Sequence, residues 1–280
     1  MLSAVDYAQE YVDRDSDRIG LHLYPDTAGP AVVIWPAMGV PAGYYRRFAN
    51  QLGAAGLSVV VADLRGTGAS TPIPSRASTY GYADLVADVA AVQEALKERL
   101  DGRQTLLLGH SLGGHICSLY LATHQPSDIA GLVLVASGTP YWRAYPRGHG
   151  LAVLPYTQGI AATSALLRVW PGWSFGGRQA RGVIRDWAYT ARYGRFPRLD
   201  GADVEAALAT VRTPVLAISV DGDRHTPPST MDHLCAKLSA APIERVHYPV
   251  AEASAPLNHF TWVRAAAPLA ARVAAFAARV

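Results

Sequence analysis

Along the chain, short apolar runs rich in β-branched residues alternate with segments whose apolar positions recur every three to four residues. The runs at 31–35, 57–62, 106–109, 132–136, 215–219 and 246–248 predict strands. The segments at 44–55, 82–100, 113–123, 230–238 and 261–280 predict helices, and Gly56 and Gly102 stand where helix ends favour glycine. Such alternation implies an α/β fold: a mostly parallel sheet flanked by helices on both faces. Ahead of it, 7–12 and 19–24 predict an antiparallel pair turned through residues 14–18.

The rhythm breaks at 138–203. Glycines, prolines and aromatics there offer no regular strand, while 160–170 and 178–191 have helical spacing. The expectation is one core domain built from 1–137 and 204–280, with 138–203 inserted after the sixth strand as a mainly helical lid.

With 280 residues, half of them hydrophobic and 17% charged, the chain can bury a sizeable core and lies far from the composition of disordered proteins. Its formal charge of +3 is not gathered into a basic tail or an aromatic-interleaved basic stretch, so no nucleic acid partner is expected. Residues 1–11 lack a basic start followed by an apolar run, which makes a cytoplasmic protein the expectation. No membrane span is expected either. The closest approach, 265–280, is interrupted by Pro268, Arg272 and Arg279 and reads as an amphipathic helix on the sheet. Cys117 and Cys235 are too few for a disulfide framework or a cysteine-based zinc site, and no cluster has metal-ligand spacing.

The strongest local signal is Leu106-Leu107-Leu108-Gly109-His110-Ser111-Leu112-Gly113-Gly114, a buried-strand run, then Gly-x-Ser-x-Gly, then a helix. A serine on so sharp a turn has a strained backbone, small neighbours and a hydroxyl thrust out at the carboxyl end of the sheet. On these residues the chain resembles the serine-nucleophile branch of the α/β-hydrolase superfamily, over essentially its whole length. His110 reads as packing beneath the turn. Asp63-Leu64-Arg65-Gly66-Thr67-Gly68-Ala69-Ser70 matches a second stretch of that fold; it lacks the ending of a P-loop, and Asp63 and Arg65 read as groups that pin the loop.

A serine hydroxyl needs a histidine base and a carboxylate to hold the imidazole. The resemblance implies the chain order serine, acid, histidine. Val220-Asp221-Gly222-Asp223-Arg224-His225-Thr226-Pro227 looks like the acid loop. Asp223 fits best, and Asp221 is its rival across one glycine. His259 lies after the last strand, where the resemblance puts the base; His225, on the acid loop, would reverse the order. The loop Pro36-Ala37-Met38-Gly39 departs from the common His-Gly form, yet a backbone amide is all an oxyanion requires, so Met38 and Leu112 are the expected donors.

The 141–198 segment concentrates aromatics, Tyr141, Trp142, Tyr145, Tyr156, Trp170, Trp173, Phe175, Trp187, Tyr189, Tyr193 and Phe196, and arginines in excess over carboxylates. Tyr141, Trp142 and Arg143, nearest the strand end, are the expected substrate contacts. The arginines, with Arg143 and Arg147 foremost, allow for an anionic or carrier-bound substrate. The resemblance thus implies a serine hydrolase, esterase or thioesterase, that cleaves a small-molecule ester or thioester and needs no cofactor. An acyltransferase, lyase or cyclase using the same three residues is the alternative. A non-catalytic binding module is a third reading, disfavoured by the presence of Ser111, Asp223 and His259 together.

Overall fold

A computed structural model describes residues 7–100 and 102–280. Most of the N-terminal stretch from which the cytoplasmic expectation was read lies outside them. The elements follow in chain order: β1 (Ala8–Arg14), β2 (Asp17–Leu23), β3 (Ala31–Trp35), α1 (Arg46–Ala54), β4 (Ser58–Ala62), α2 (Tyr82–Leu96), β5 (Thr105–His110), α3 (Leu112–His124) and β6 (Ile129–Val135). After β6 come α4 (Gly150–Leu167), β7 (Val169–Trp170), β8 (Gln179–Ala180), α5 (Arg181–Tyr193) and α6 (Val204–Leu208). The chain closes with β9 (Val215–Val220), α7 (Pro228–Cys235), β10 (Ile243–Tyr248) and α8 (Ala267–Ala277).

Eight strands form one sheet in the order β1-β2-β4-β3-β5-β6-β9-β10. The predicted opening pair is antiparallel and joins β4 antiparallel; every later pairing is parallel. The inner parallel strands β3, β4, β5, β6 and β9 are mostly apolar because both their faces are covered, whereas the edge strand β10 carries Glu244, Arg245 and His247 and is largely open to solvent. Alternate residues divide between two cores: Val33, Leu107 and Leu134 pack with α2 and α3 on one face, while Ile34, Leu108 and Val135 pack with α1 and α8 on the other. β5 therefore lies deep in the sheet, and whatever follows its carboxyl end is held from both sides.

The helix predicted over 261–280 is split. A short 3-10 turn at Thr261–Ala265 precedes α8, and Pro268, which lacks an N–H, occupies the first turn of α8.

Between β6 and β9 the structure departs further from the expectation. The helix predicted over 160–170 instead begins at Gly150 and stops at Leu167, with Pro155 inside it. Pro155 is exposed, so the carbonyl it leaves without a partner can be taken by water. Trp170 belongs to a two-residue antiparallel pair with β8, where no strand was expected. The closest approach to a membrane span also moves: α4, with 18 residues and no charge, is long and apolar enough to cross a bilayer, and 265–280 is not. Its interior Gln, Thr and Ser hide it from a search for unbroken apolar runs. α4 packs along α5, with Thr157, Ile160 and Ser164 buried.

Candidate active site

β5 delivers the chain to Ser111, which sits between strand and helix at φ 54°, ψ −116°. A side chain there is strained, and the surroundings hold it. The Ser111 amide donates to the Val135 carbonyl of β6 at 3.1 Å. Gly109 lies so near the first turn of α3 that a Cβ on it would come within 2.2 Å of the Gly114 nitrogen.

His259 Nε2 stands 3.1 Å from Ser111 Oγ, and His259 Nδ1 stands 2.8 Å from Asp223 Oδ2. The imidazole is nearly buried, 4% exposed, and Asp223 is 7% exposed. Asp223 also accepts from the amides of His225 and Thr226 at 2.8 and 2.9 Å, and from the Thr226 hydroxyl at 2.6 Å. Burial would raise the Asp223 carboxyl, but the hydrogen bond and charge of His259 and the donors of Thr226 outweigh it and hold it at about 2. With Asp223 accepting from Nδ1–H, Nε2 is the nitrogen left to receive a proton from Ser111.

Asp221 faces elsewhere, accepting from the amides of Gly222 at 2.9 Å and Val250 at 3.2 Å. His225 lies with its ring centroid 5.0 Å from that of His259. Among the described residues, its ring makes no hydrogen bond to Ser111.

Above Ser111 is a cavity of about 120 Å³. Met38, Leu112 and Thr226 line it, as do Tyr145, Tyr156, Phe175 and Trp187 from the segment between β6 and β9. The Leu112 amide is at the first position of α3, where no intrahelical acceptor exists.

The sequence model of the family described as serine aminopeptidase, S33, matches residues 27–252. The chain belongs to this family of α/β-hydrolases. The hydrolase is also 36% identical over 107 residues to the "Putative carbamate hydrolase RutD" of Variovorax paradoxus, a match that spans 38% of this chain and only 38% of that relative's length. Among solved structures, Est1E from Butyrivibrio proteoclasticus with bound ferulic acid superposes with a TM-score of 0.66 at 17% identity, covering 97% of this chain and 100% of the other. The thioesterase domain of the curacin biosynthetic pathway gives 0.62 at 17% identity, covering 95% and 99%. At such identities these two establish the fold of the hydrolase and nothing finer.

The structure therefore brings together Ser111, His259 and Asp223 and sets Met38 and Leu112 beside them. It does not bring the three expected substrate contacts into the cavity lining. The Tyr141 ring lies against Gly194 and His233, Trp142 runs along α4, where its carbonyl abuts Gly150, and the Arg143 guanidinium stacks on Trp142 at 4.8 Å. Pro140 and Tyr145 line the cavity while Tyr141, Trp142 and Arg143 between them do not, so nearness in sequence to the strand end does not become nearness to the cavity. The side chain of Arg147 lies outside the described residues. Thr226 was missed, although its place three residues after a candidate acid was a readable signal for a supporting hydroxyl. Phe175 and Trp187 were indistinguishable in sequence from the other aromatics of their segment.

Proposed function

We propose that the hydrolase cleaves a carboxylic ester or thioester of a small to medium hydrophobic substrate through an acyl-enzyme on Ser111. The observation that carries this reading is the single imidazole within hydrogen-bond reach of both the Ser111 hydroxyl and the Asp223 carboxylate. His259 Nε2 takes the Ser111 proton as Oγ attacks the carbonyl carbon, and Asp223 stabilises the imidazolium that results. The amides of Met38 and Leu112 receive the oxyanion, without reorganising as charge develops. Collapse of the tetrahedral intermediate expels the leaving group, which takes its proton from His259. Water, deprotonated by the same nitrogen, then attacks the acyl-enzyme and frees the acid.

The size of the cavity favours a compact acyl group. Its apolar lining, closed over by α4 and α5, supports reading residues 138–203 as a lid. Among the described residues, no carboxylate lines it to neutralise a free ammonium, and Arg224 is its one permanently charged side chain. That favours esters and thioesters over substrates with a free amino terminus. No cofactor enters this chemistry, and a cytoplasmic location remains part of the reading.

The test is a panel of acyl esters and thioesters incubated with the wild type and with Ser111→Ala, followed by rate and by intact mass. A transient acyl adduct on the wild type and a loss of at least roughly ten-thousandfold in the variant are expected. Full ester hydrolysis by Ser111→Ala would overturn the reading.

A further inference from the structure

Tyr45, just ahead of α1, makes no contribution to the cavity lining, yet its hydroxyl is fully buried between the two loops that flank Ser111. Its Oη accepts the Ala37 amide at 2.9 Å and lies 2.7 Å from His110 Nδ1. Ala37 immediately precedes Met38 and His110 immediately precedes Ser111. One phenol oxygen thus joins the residue before the nucleophile to the residue before the second amide proposed for the oxyanion. The ring is held on three sides, edge-on to His110 at 5.9 Å between centroids, against Trp262 at 6.4 Å and against Tyr44 at 5.7 Å. Trp262 also donates to His110 Nε2 at 3.4 Å, so the histidine is fixed at both ring nitrogens. Burial keeps the phenol protonated and the His110 ring neutral, which leaves the bridge uncharged over the working pH range.

We infer that Tyr45 is a positioning residue: its hydroxyl sets the spacing between the Met38 amide and the Ser111–Leu112 turn, and so the geometry of the oxyanion hole. This rests on the acyl-enzyme reading above. The physical reason is that the two donors come from different loops, and the loop at 36–40 has few internal bonds of its own, a single Val40-to-Ala37 turn at 3.1 Å. An oxyanion hole is effective only when its donors are held in place before charge develops. A hydrogen bond that pins the amide of Ala37 orients the peptide plane next to the one that donates from Met38. The alternative is that the hydroxyl merely satisfies a buried amide and contributes stability alone.

The deciding variant is Tyr45→Phe, which removes one oxygen and keeps the ring packing. Positioning predicts a kcat lower by about tenfold with KM within about twofold, because the bridge acts where charge develops and not where substrate packs. Binding of a trifluoromethyl ketone, which forms a tetrahedral oxyanion on the serine, should weaken by a similar factor, while binding of the product acid should not. Tyr248→Phe is the control: it deletes another fully buried tyrosine hydroxyl, bonded to the Ala265 carbonyl and absent from the cavity lining, and should lower Tm without moving kcat. His110→Leu severs the same bridge from its other end and replaces Tyr45→Phe if that variant does not fold. A folded variant of either kind that keeps wild-type kcat and ketone affinity overturns the inference. Should Ser111→Ala retain activity, the underlying reading fails instead, whatever Tyr45→Phe does.

Discussion

A Cβ placed on Gly113 would lie 2.0 Å from the carbonyl oxygen of Trp35. The first turn of α3 is pressed against the end of β3, and this contact brings the loop bearing Met38 alongside the turn at Ser111. Backbone meets backbone there, so no side chain can swing aside to make room. Gly113→Ala is expected to cost about 3 kcal/mol or more, the upper range for forced overpacking. Any folded fraction should react slowly with a serine-directed phosphonate. Thermal melting and labelling rate check this, and a variant with wild-type values of both would show that the two loops are not so tightly opposed.

The two carboxylates of the acid loop are expected to separate cleanly. Asp223→Asn should lower kcat by roughly a thousandfold or more, because an amide cannot stabilise the imidazolium, whereas Asp221→Asn should stay within about twofold. Steady-state kinetics on one ester decides the matter. Equal losses in both variants would count against Asp223 as the only carboxylate behind His259.

Asp223 also makes acid stability a measurable property of the site. Its carboxyl is held at about 2, below the ordinary 3.8. A depressed carboxyl contributes stability that is present above the unfolded value and is lost as pH falls through the folded one, here between about 4 and 2. The magnitude is on the order of 2 kcal/mol. Denaturant unfolding of the wild type and of Asp223→Asn should show a gap that is constant above pH 5 and shrinks toward pH 2. A gap that holds its size down to pH 2.5 would contradict this.

Trp187 and Phe175 stack at 4.8 Å between ring centroids and close the cavity above Ser111. Replacing the indole by a smaller apolar group should admit longer chains. In Trp187→Leu, the ratio of kcat/KM for an octanoyl over an acetyl ester is expected to rise at least roughly tenfold, since even one methylene accommodated in an apolar pocket is worth about that much or more. An unchanged chain-length profile would mean that the acyl group lies elsewhere.

Away from the chemistry, Arg65 grips Asp88 with Nε at 2.8 Å and Nη2 at 2.5 Å and reaches Asp17 with Nη1 at 2.7 Å. Asp88 is fully buried and Arg14 adds a further bond at 3.1 Å. Arg65→Met leaves a buried carboxylate short of its main partner and should lower stability by about 3–5 kcal/mol. The activity of the folded fraction is expected to be unchanged, because none of these groups lines the cavity.

Legibility followed the range of the interactions involved. The strands and the turn at Ser111 were readable because burial on both faces demands unbroken apolar runs and the sharp turn demands glycine at 109 and 113. His259 was readable because the resemblance assigns the base to the loop before the last helix. Asp223 and Asp221 remained open because both lie in one loop and differ only in which way the backbone turns them. The start of α4 at Gly150 was missed because Pro155 and the glycines argue locally against a helix, and packing along α5 overrides them.

By itself, the amino-acid sequence determined the alternation of strands and helices and the glycine-flanked turn at Ser111, since each is written in local periodicity or short spacing; Asp223 and His259 became candidates only through the resemblance those residues carry. Only the tertiary structure decided which carboxylate faces His259, which aromatics close over Ser111 and that Tyr45 ties the two flanking loops together. Those relations join residues far apart along the chain, 36 positions between Asp223 and His259 and 65 between Tyr45 and His110. They are set by how the sheet and its two helical layers pack, and no local pattern along the chain encodes that.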